Sequence, residues 1–187
     1  ILGSPQPLGY RNRAQFKTDG RVIGFVSEGT HAIAPLEDCL VLSEPMRAHL
    51  RRLRATLPNS AWRPGRGHDW NFIDADEELG LDEEPRLNRR RPFRQGNTAQ
   101  NENMRAWLRG KAGGLSRESQ IVELYAGSGN FTEVLAGLGF EHIHAFEVAR
   151  EAIEALNARG LPGVKGFVAD LSRPEHFNRL AASEPQA

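Results

Sequence analysis

A single cysteine, Cys39, stands in 187 residues, which excludes an internal disulfide framework and a thiolate metal cluster built from these residues alone. Lysine is nearly as scarce, occurring only at Lys17, Lys111 and Lys165. The positive charge is therefore carried by arginine, which binds phosphate bidentately and stacks on bases. Basic and acidic side chains number 24 each, for a net charge of zero, so bulk charge does not make the molecule a polyanion binder. No apolar run is long enough to cross a bilayer, and no charged n-region leads into an apolar h-region. A cytoplasmic protein without a membrane partner is the expectation. The chain opens on Ile1 rather than Met, so it reads as a processed product or a piece of a longer gene product.

What is present is concentrated in one run, Glu123-Leu-Tyr-Ala-Gly-Ser-Gly-Asn-Phe-Thr-Glu-Val-Leu-Ala136. A short apolar strand runs into a glycine turn and then a helix starting near Asn130. Gly127 and Gly129 permit a tight turn and close approach of a ligand, and the helix N-terminus offers unpaired N–H groups. A second strand, Ile143 to Glu147, places an acid eighteen residues beyond Gly129, where it can accept hydrogen bonds from ribose hydroxyls of an adenosine ligand. A dinucleotide fingerprint would want a third small residue at the position of Thr132, and Phe131 precedes it. The wider, polar Gly-Ser-Gly-Asn turn favours S-adenosylmethionine, which carries no phosphate. A dinucleotide, or a turn with no ligand, stays open at this point.

Four motifs extend the pattern. Glu123 to Thr132 resembles motif I of the RNA (uracil-5-)-methyltransferase family, which methylates C5 of uridine in ribosomal or transfer RNA. Phe93-Arg-Gln-Gly-Asn97 resembles that family's Phe-x-Gln-x-Asn segment. Gly9-Tyr-Arg-Asn-Arg-Ala14 resembles its Tyr-Arg-Asn-Lys/Arg motif, and Gly24-Phe25 with Ala32-Ile33 to Cys39 is similar to its Gly-Phe…Ile-Val…Cys stretch. They occur in the family's order, from Gly9 to Asp170. The resemblance implies an S-adenosylmethionine cofactor with Tyr125 and Asn130 lining the donor site and Gln95 contacting the donor. It also implies RNA as partner. Many members carry an iron–sulfur cluster whose last ligand matches Cys39, but the other three cysteines are not among these residues. The family's nucleophile segment, Ser-Cys-Asn-Pro, its Asp-Pro-Pro-Arg loop and its late glutamate are also absent. The expectation is a fragment truncated before those motifs, with a donor site, no catalytic residue of its own and no activity alone. A non-catalytic RNA- or donor-binding protein is the alternative.

The expected fold is α/β: a partial Rossmann-like methyltransferase sheet over 93–187, preceded by a small β-rich, RNA-facing α+β domain over 1–92. In the first domain, strands are expected at 14–17, 21–26, 31–34 and 40–42, with a hairpin at Asp19-Gly20. A helix capped by Ser43 buries Met46, Leu50, Leu53 and Leu57 at i, i+4, i+7, i+11. From Trp62 to Arg94 the pattern fades, and an acidic block, 74–84, adjoins Arg86, Arg89, Arg90, Arg91 and Arg94. These read either as a self-neutralising connection or as arginines facing RNA phosphates. A helix capped at Asn97 or Thr98 then ends near Gly110. The βαβαβ unit follows as strands 120–126, 142–147 and 164–169 with helices 130–138 and 149–159, giving a parallel sheet with right-handed crossovers.

Asp170 closes the third strand, where it either meets an adenine amino group or caps the next turn. Arg11 and Arg13 flank Asn12 next to Tyr10, an aromatic and guanidinium pair that can stack a splayed base and hold its phosphate. His142 and His144 read as structural, with no metal constellation. An open sheet ending after three strands leaves an apolar edge and face, so self-association is expected.

Overall fold

The computed structural model describes residues 3–82 and 84–173. The chain forms two compact units, one ending at Asn101 and the other starting at Glu102.

The first unit is an antiparallel sheet of four strands in the order β3-β2-β1-β4, made of β1 (Arg13–Thr18), β2 (Ile23–Val26), β3 (Ile33–Pro35) and β4 (Asn71–Asp76). Strict alternation in β1 turns Ala14, Phe16 and Thr18 inward, as a half-buried strand requires. The β1–β2 hairpin forms at Asp19-Gly20: Asp19 Oδ1 accepts from the N–H groups of Arg21 and Val22 at 2.7 and 2.9 Å, and Gly20 takes φ +82°. Helix α1 (Glu44–Ala55) is capped by Ser43, whose Oγ accepts from Met46 N–H at 3.4 Å, and Pro45 sits in its first turn. Its stripe of Met46, Leu50 and Leu53 packs with Phe16, Ile23, Leu42, Trp62 and Ile73 into one core. Each such side chain contributes about 1.5–3 kcal/mol of burial. Leu57 and Cys39 lie against this core, partly buried.

Two expectations change here. Strand β4 lies inside the stretch where the pattern fades, because its carboxylates Asp74 and Asp76 hide the alternation. Asp74 is held by Arg13, and Asp76 Oδ1 caps the N–H groups of Glu78 and Leu79. Residues 40–42 form a turn with a single bridge from Leu42 to Arg11, and not a strand; Leu42 is buried while Leu40 is exposed.

The boundary between the units falls within helix α2 (Thr98–Ala112). The second unit holds a parallel sheet in the order β5-β6-β7, with β5 (Gln120–Leu124), β6 (His142–Glu147) and β7 (Val164–Val168). Helices α3 (Thr132–Gly137) and α4 (Arg150–Ala158) supply the crossovers. Ile143 and Ala145 point to one face and are fully buried, with Ile153 and Leu156 of α4 and Leu135 of α3 in the cores on that side. On the other face Val122 is 52% exposed and Leu124 and Phe167 are also open, while Phe146 stacks on Phe167 at 5.1 Å. Among the described residues no helix is long and apolar enough to cross a membrane.

Candidate cofactor site

At the end of β5 the backbone turns through three residues with positive φ: Tyr125 (+58°), Gly127 (+56°) and Gly129 (+93°). The two glycines serve different needs. A Cβ at Gly127 would meet nothing within 4 Å, so the residue is glycine for its backbone and leaves open space above the turn. A Cβ at Gly129 would lie 2.4 Å from Leu156 Cδ1, inside the core, so this glycine lets the turn close onto α4. Tyr125 takes the same left-handed conformation with a full side chain, at a cost of about 1–2 kcal/mol, and the residue is 74% exposed. A left-handed, exposed aromatic therefore stands beside an open turn.

Glu147, at the end of β6, reaches this turn. Its Oε2 accepts from Gly127 N–H at 3.0 Å, and its Oε1 accepts from Val148 and Ala149 N–H at 2.8 and 3.0 Å. Three backbone donors fix the carboxylate; Oε1 accepts two of them, so Oε2 keeps one lone-pair site for a further donor.

Beneath the turn lies a buried pair the sequence reading passed over. Thr132 is fully buried and its Oγ donates to Glu123 Oε2 at 2.6 Å. Burial pushes the Glu123 carboxyl above the usual range, opposed by the bonds from Thr132. This is the reason the third fingerprint position is threonine: a small residue there would leave Glu123 without that donor. The alternation of β5 and the departure from Gly/Ala were the available signals.

The turn is also gripped from outside. Arg105 Nη1 donates to the carbonyl of Asn130 at 2.5 Å and to its Oδ1 at 3.2 Å, and Arg159 Nη1 donates to the carbonyl of Ser128 at 3.3 Å. Glu133 binds both guanidinium groups, at 3.1 and 3.0 Å. The following helix starts past Asn130, two residues later than the sequence places it. Helix α3 begins at Thr132, its cap is Phe131 without a side-chain bond, and six residues are too few for the helix end to form an anion site.

Asp170 accepts from Ser172 N–H and Oγ at 3.1 and 2.6 Å and from Arg173; the Ser172 hydroxyl bond, first, holds its carboxyl below the usual range. It caps the turn, and the neighbouring Ala169 N–H binds the carbonyl of Glu147 at 2.8 Å. Tyr125, Gly127, Gly129, Asn130 and Glu147 are thus brought together. Gln95 belongs to the first unit and is half-buried there.

In that unit the Tyr-Arg-Asn and Phe-x-Gln-x-Asn motifs are stitched to each other. Asn12 N–H binds Gly96 carbonyl at 3.1 Å, and buried Asn12 Nδ2 donates to Thr98 Oγ at 2.8 Å. Arg13 is spent inside the unit: its Nη2 lies 2.9 Å from Asp74 Oδ2, and its Nη1 donates to the Pro92 carbonyl at 2.6 Å. Asp74 is itself only 1% exposed. Arg13 is a structural anchor here rather than a free cation. Arg11 is exposed, with Nε bound to the carbonyl of Arg13, and half-buried Tyr10 lines a recess of about 300 Å³ with Ser43, Glu77 and Asn97.

Residues 77–159 match the family model of tRNA (uracil-5-)-methyltransferase. The chain is 50% identical over 174 residues to an uncharacterized RNA methyltransferase of Nitrosomonas europaea, across 93% of this chain and 44% of that protein. It is 32% identical over 139 residues to another from Bdellovibrio bacteriovorus, across 73% of this chain and 34% of that one. The chain therefore spans less than half the length of these curated relatives. The crystal structure of a Pyrococcus abyssi tRNA (uracil-54, C5)-methyltransferase in complex with S-adenosyl-L-homocysteine shares the fold, with a TM-score of 0.57 at 19% identity over 89% of this chain and 57% of that one.

Proposed function

Since this chain is a relative of the RNA (uracil-5-)-methyltransferases, we propose that it is the donor-binding part of an S-adenosylmethionine-dependent enzyme that methylates uridine C5 in ribosomal or transfer RNA. The observation that carries this reading is the carboxylate of Glu147 held against Gly127 N–H, beside open space over the glycine turn. The residues of the second unit fit the cofactor: Glu147 takes a ribose hydroxyl, Tyr125 and Asn130 flank the donor, and Asp170 is a further contact. When bound, S-adenosylmethionine supplies an electrophilic methyl group. The chain's own part is to fix the donor. Three backbone N–H groups hold Glu147, and the Arg105–Glu133–Arg159 clamp holds the carbonyls of Ser128 and Asn130, so the loop is ordered before a ligand arrives.

Uracil C5 is a weak nucleophile, and activating it calls for a thiolate that adds at C6. The one cysteine of these residues, Cys39, packs on the core of the first unit, so they supply the donor side of the reaction without its nucleophile. The proposed site of action is the cytoplasm. RNA containing 5-fluorouridine tests the division of labour. The 187-residue chain should bind S-adenosylhomocysteine and form no denaturation-resistant adduct with that RNA. An adduct would show that a nucleophile is present after all, and a folded chain that ignores the cofactor would remove the donor role.

A further inference from the structure

A cleft of about 320 Å³ runs beside the edge strand β4 in the first unit. Its apolar floor includes Ile73, Ala75 and Pro85, and its rim carries four arginines, 86, 89, 90 and 91. We propose that this cleft binds the phosphate backbone of single-stranded RNA, with Arg86, Arg89 and Arg90 as the phosphate ligands. The choice of RNA rests on the function proposed above; the cleft's preference for a polyanion rests on the charge census that follows.

The sequence left open whether the acidic block neutralises these arginines; of its described carboxylates, Asp74 and Asp82 line the cleft but are paired, Asp76, Glu77 and Glu78 are engaged away from its lining, and exposed Glu84 forms no ion pair among the described residues. Asp74 is taken by Arg13 and by the N–H of Arg91 at 2.8 Å. Asp76 caps a turn, Glu77 binds Ser43, and Glu78 binds Asn12 and Arg94. Asp82 pairs with Arg91 at 2.8 Å. Among the described residues, Arg86, Arg89 and Arg90 form no ion pair, and all three are exposed. Three unpaired cations around one concavity, against the single unpaired described carboxylate Glu84 beside them, leave the local potential positive in a molecule whose net charge is zero. His49 in the cleft wall adds no charge near neutral pH, because burial holds its imidazole down at about 4. Lys17 lies nearby, over the rings of Trp70 and Phe72 at 4.1 and 4.8 Å, and Arg90 stands 6.0 Å from the Phe72 centroid.

The arginines also ride on an ordered backbone. Asn88, at φ +58°, binds the β4 edge with its N–H on the Phe72 carbonyl at 2.9 Å, its Oδ1 on Phe72 N–H at 3.0 Å and its Nδ2 on Asn71 Oδ1 at 2.7 Å. Leu87 bridges to Ile73. Anchors at 87, 88 and 91 tie the backbone that carries Arg86, Arg89 and Arg90 to the edge of the sheet. Binding then orders side chains and not the loop.

Fluorescence anisotropy of a short labelled single-stranded RNA with the 187-residue chain tests the cleft. The probe is titrated against wild type, against the triple variant Arg86→Gln/Arg89→Gln/Arg90→Gln, and against Arg21→Gln/Arg63→Gln/Arg66→Gln, which removes the same charge from exposed arginines outside the cleft. The cleft variant should lose at least about tenfold in affinity, and its log–log salt dependence should flatten by about 2, the value for three single-strand phosphate contacts. The second variant should bind within about twofold of wild type, and an Arg→Lys triple at 86, 89 and 90 should keep most of the salt slope, as charge neutralisation requires. Unchanged S-adenosylhomocysteine binding and unchanged urea midpoints certify each variant's fold. Wild type binding RNA while the cleft variant binds equally well, or while both glutamine variants lose equally, overturns the cleft and leaves the methyltransferase reading standing. A wild-type chain that takes the cofactor but no RNA removes both the cleft and the RNA substrate.

Discussion

The two glycines of the cofactor turn should respond differently to the same substitution. Gly127→Ala adds a methyl group that meets nothing within 4 Å, so its cost is the left-handed conformation alone, about 1–2 kcal/mol. Gly129→Ala carries the same backbone cost and in addition drives Cβ to 2.4 Å from Leu156 Cδ1. Leu156 is fully buried among Ala126, Ala145 and Ile153, so its methyl cannot swing into solvent. Overpacking of that kind adds about 1–3 kcal/mol. Urea unfolding followed by circular dichroism should thus place Gly129→Ala below Gly127→Ala by about 1–3 kcal/mol. Leu156→Ala removes the clashing atom, so the double variant Gly129→Ala/Leu156→Ala should lose less than the sum of its singles. Equal losses at 127 and 129, or strict additivity with Leu156→Ala, would refute the packing argument.

Other perturbations probe the remaining parts. His49 is buried with its pKa at about 4 against an ordinary 6.5, so the unfolded chain binds a proton that the folded chain refuses between those values. Stability should fall by about 2 kcal/mol from pH 7 to pH 5, and His49→Gln should flatten that slope in urea titrations; an unchanged slope assigns the acid sensitivity elsewhere. Tyr125→Gly should raise stability by up to about 1 kcal/mol by removing strain while weakening S-adenosylhomocysteine binding; a loss of stability would mean the exposed ring is packed. The open sheet face at Val122, Leu124 and Phe167 should drive concentration-dependent self-association that Val122→Lys suppresses. Sedimentation velocity showing a monomer at every concentration would count against it.

How much of this was legible in the sequence depended on where side chains spend their polarity. The βαβαβ half was readable because its strands are short apolar runs and its turn is marked by glycine, and the three strands fall where the run of apolar residues puts them. Helix α1 was readable from its stripe and its Ser43 cap. Strand β4 was not, since Asp74 and Asp76 sit in it as buried carboxylates whose partners, Arg13 and the 78–79 backbone, are distant or local in ways a period-two pattern cannot express. The same blindness affected Arg13: a guanidinium beside an aromatic looks like a phosphate ligand until Asp74 is found opposite it. Glu147 was legible because strand-end position alone fixes it. The Thr132–Glu123 pair and the Arg105–Glu133–Arg159 clamp were not, because each joins residues whose pairing only the folded turn creates.

The most direct test of the donor role is calorimetric titration of the 187-residue chain with S-adenosylhomocysteine, beside Glu147→Ala. Saturable binding by the parent chain that falls at least about tenfold in the variant, roughly the loss of one charge-assisted hydrogen bond, is the predicted result. Equal binding by both, with circular dichroism showing each folded, would contradict the placement of the ribose on Glu147 and with it the reading of the glycine turn.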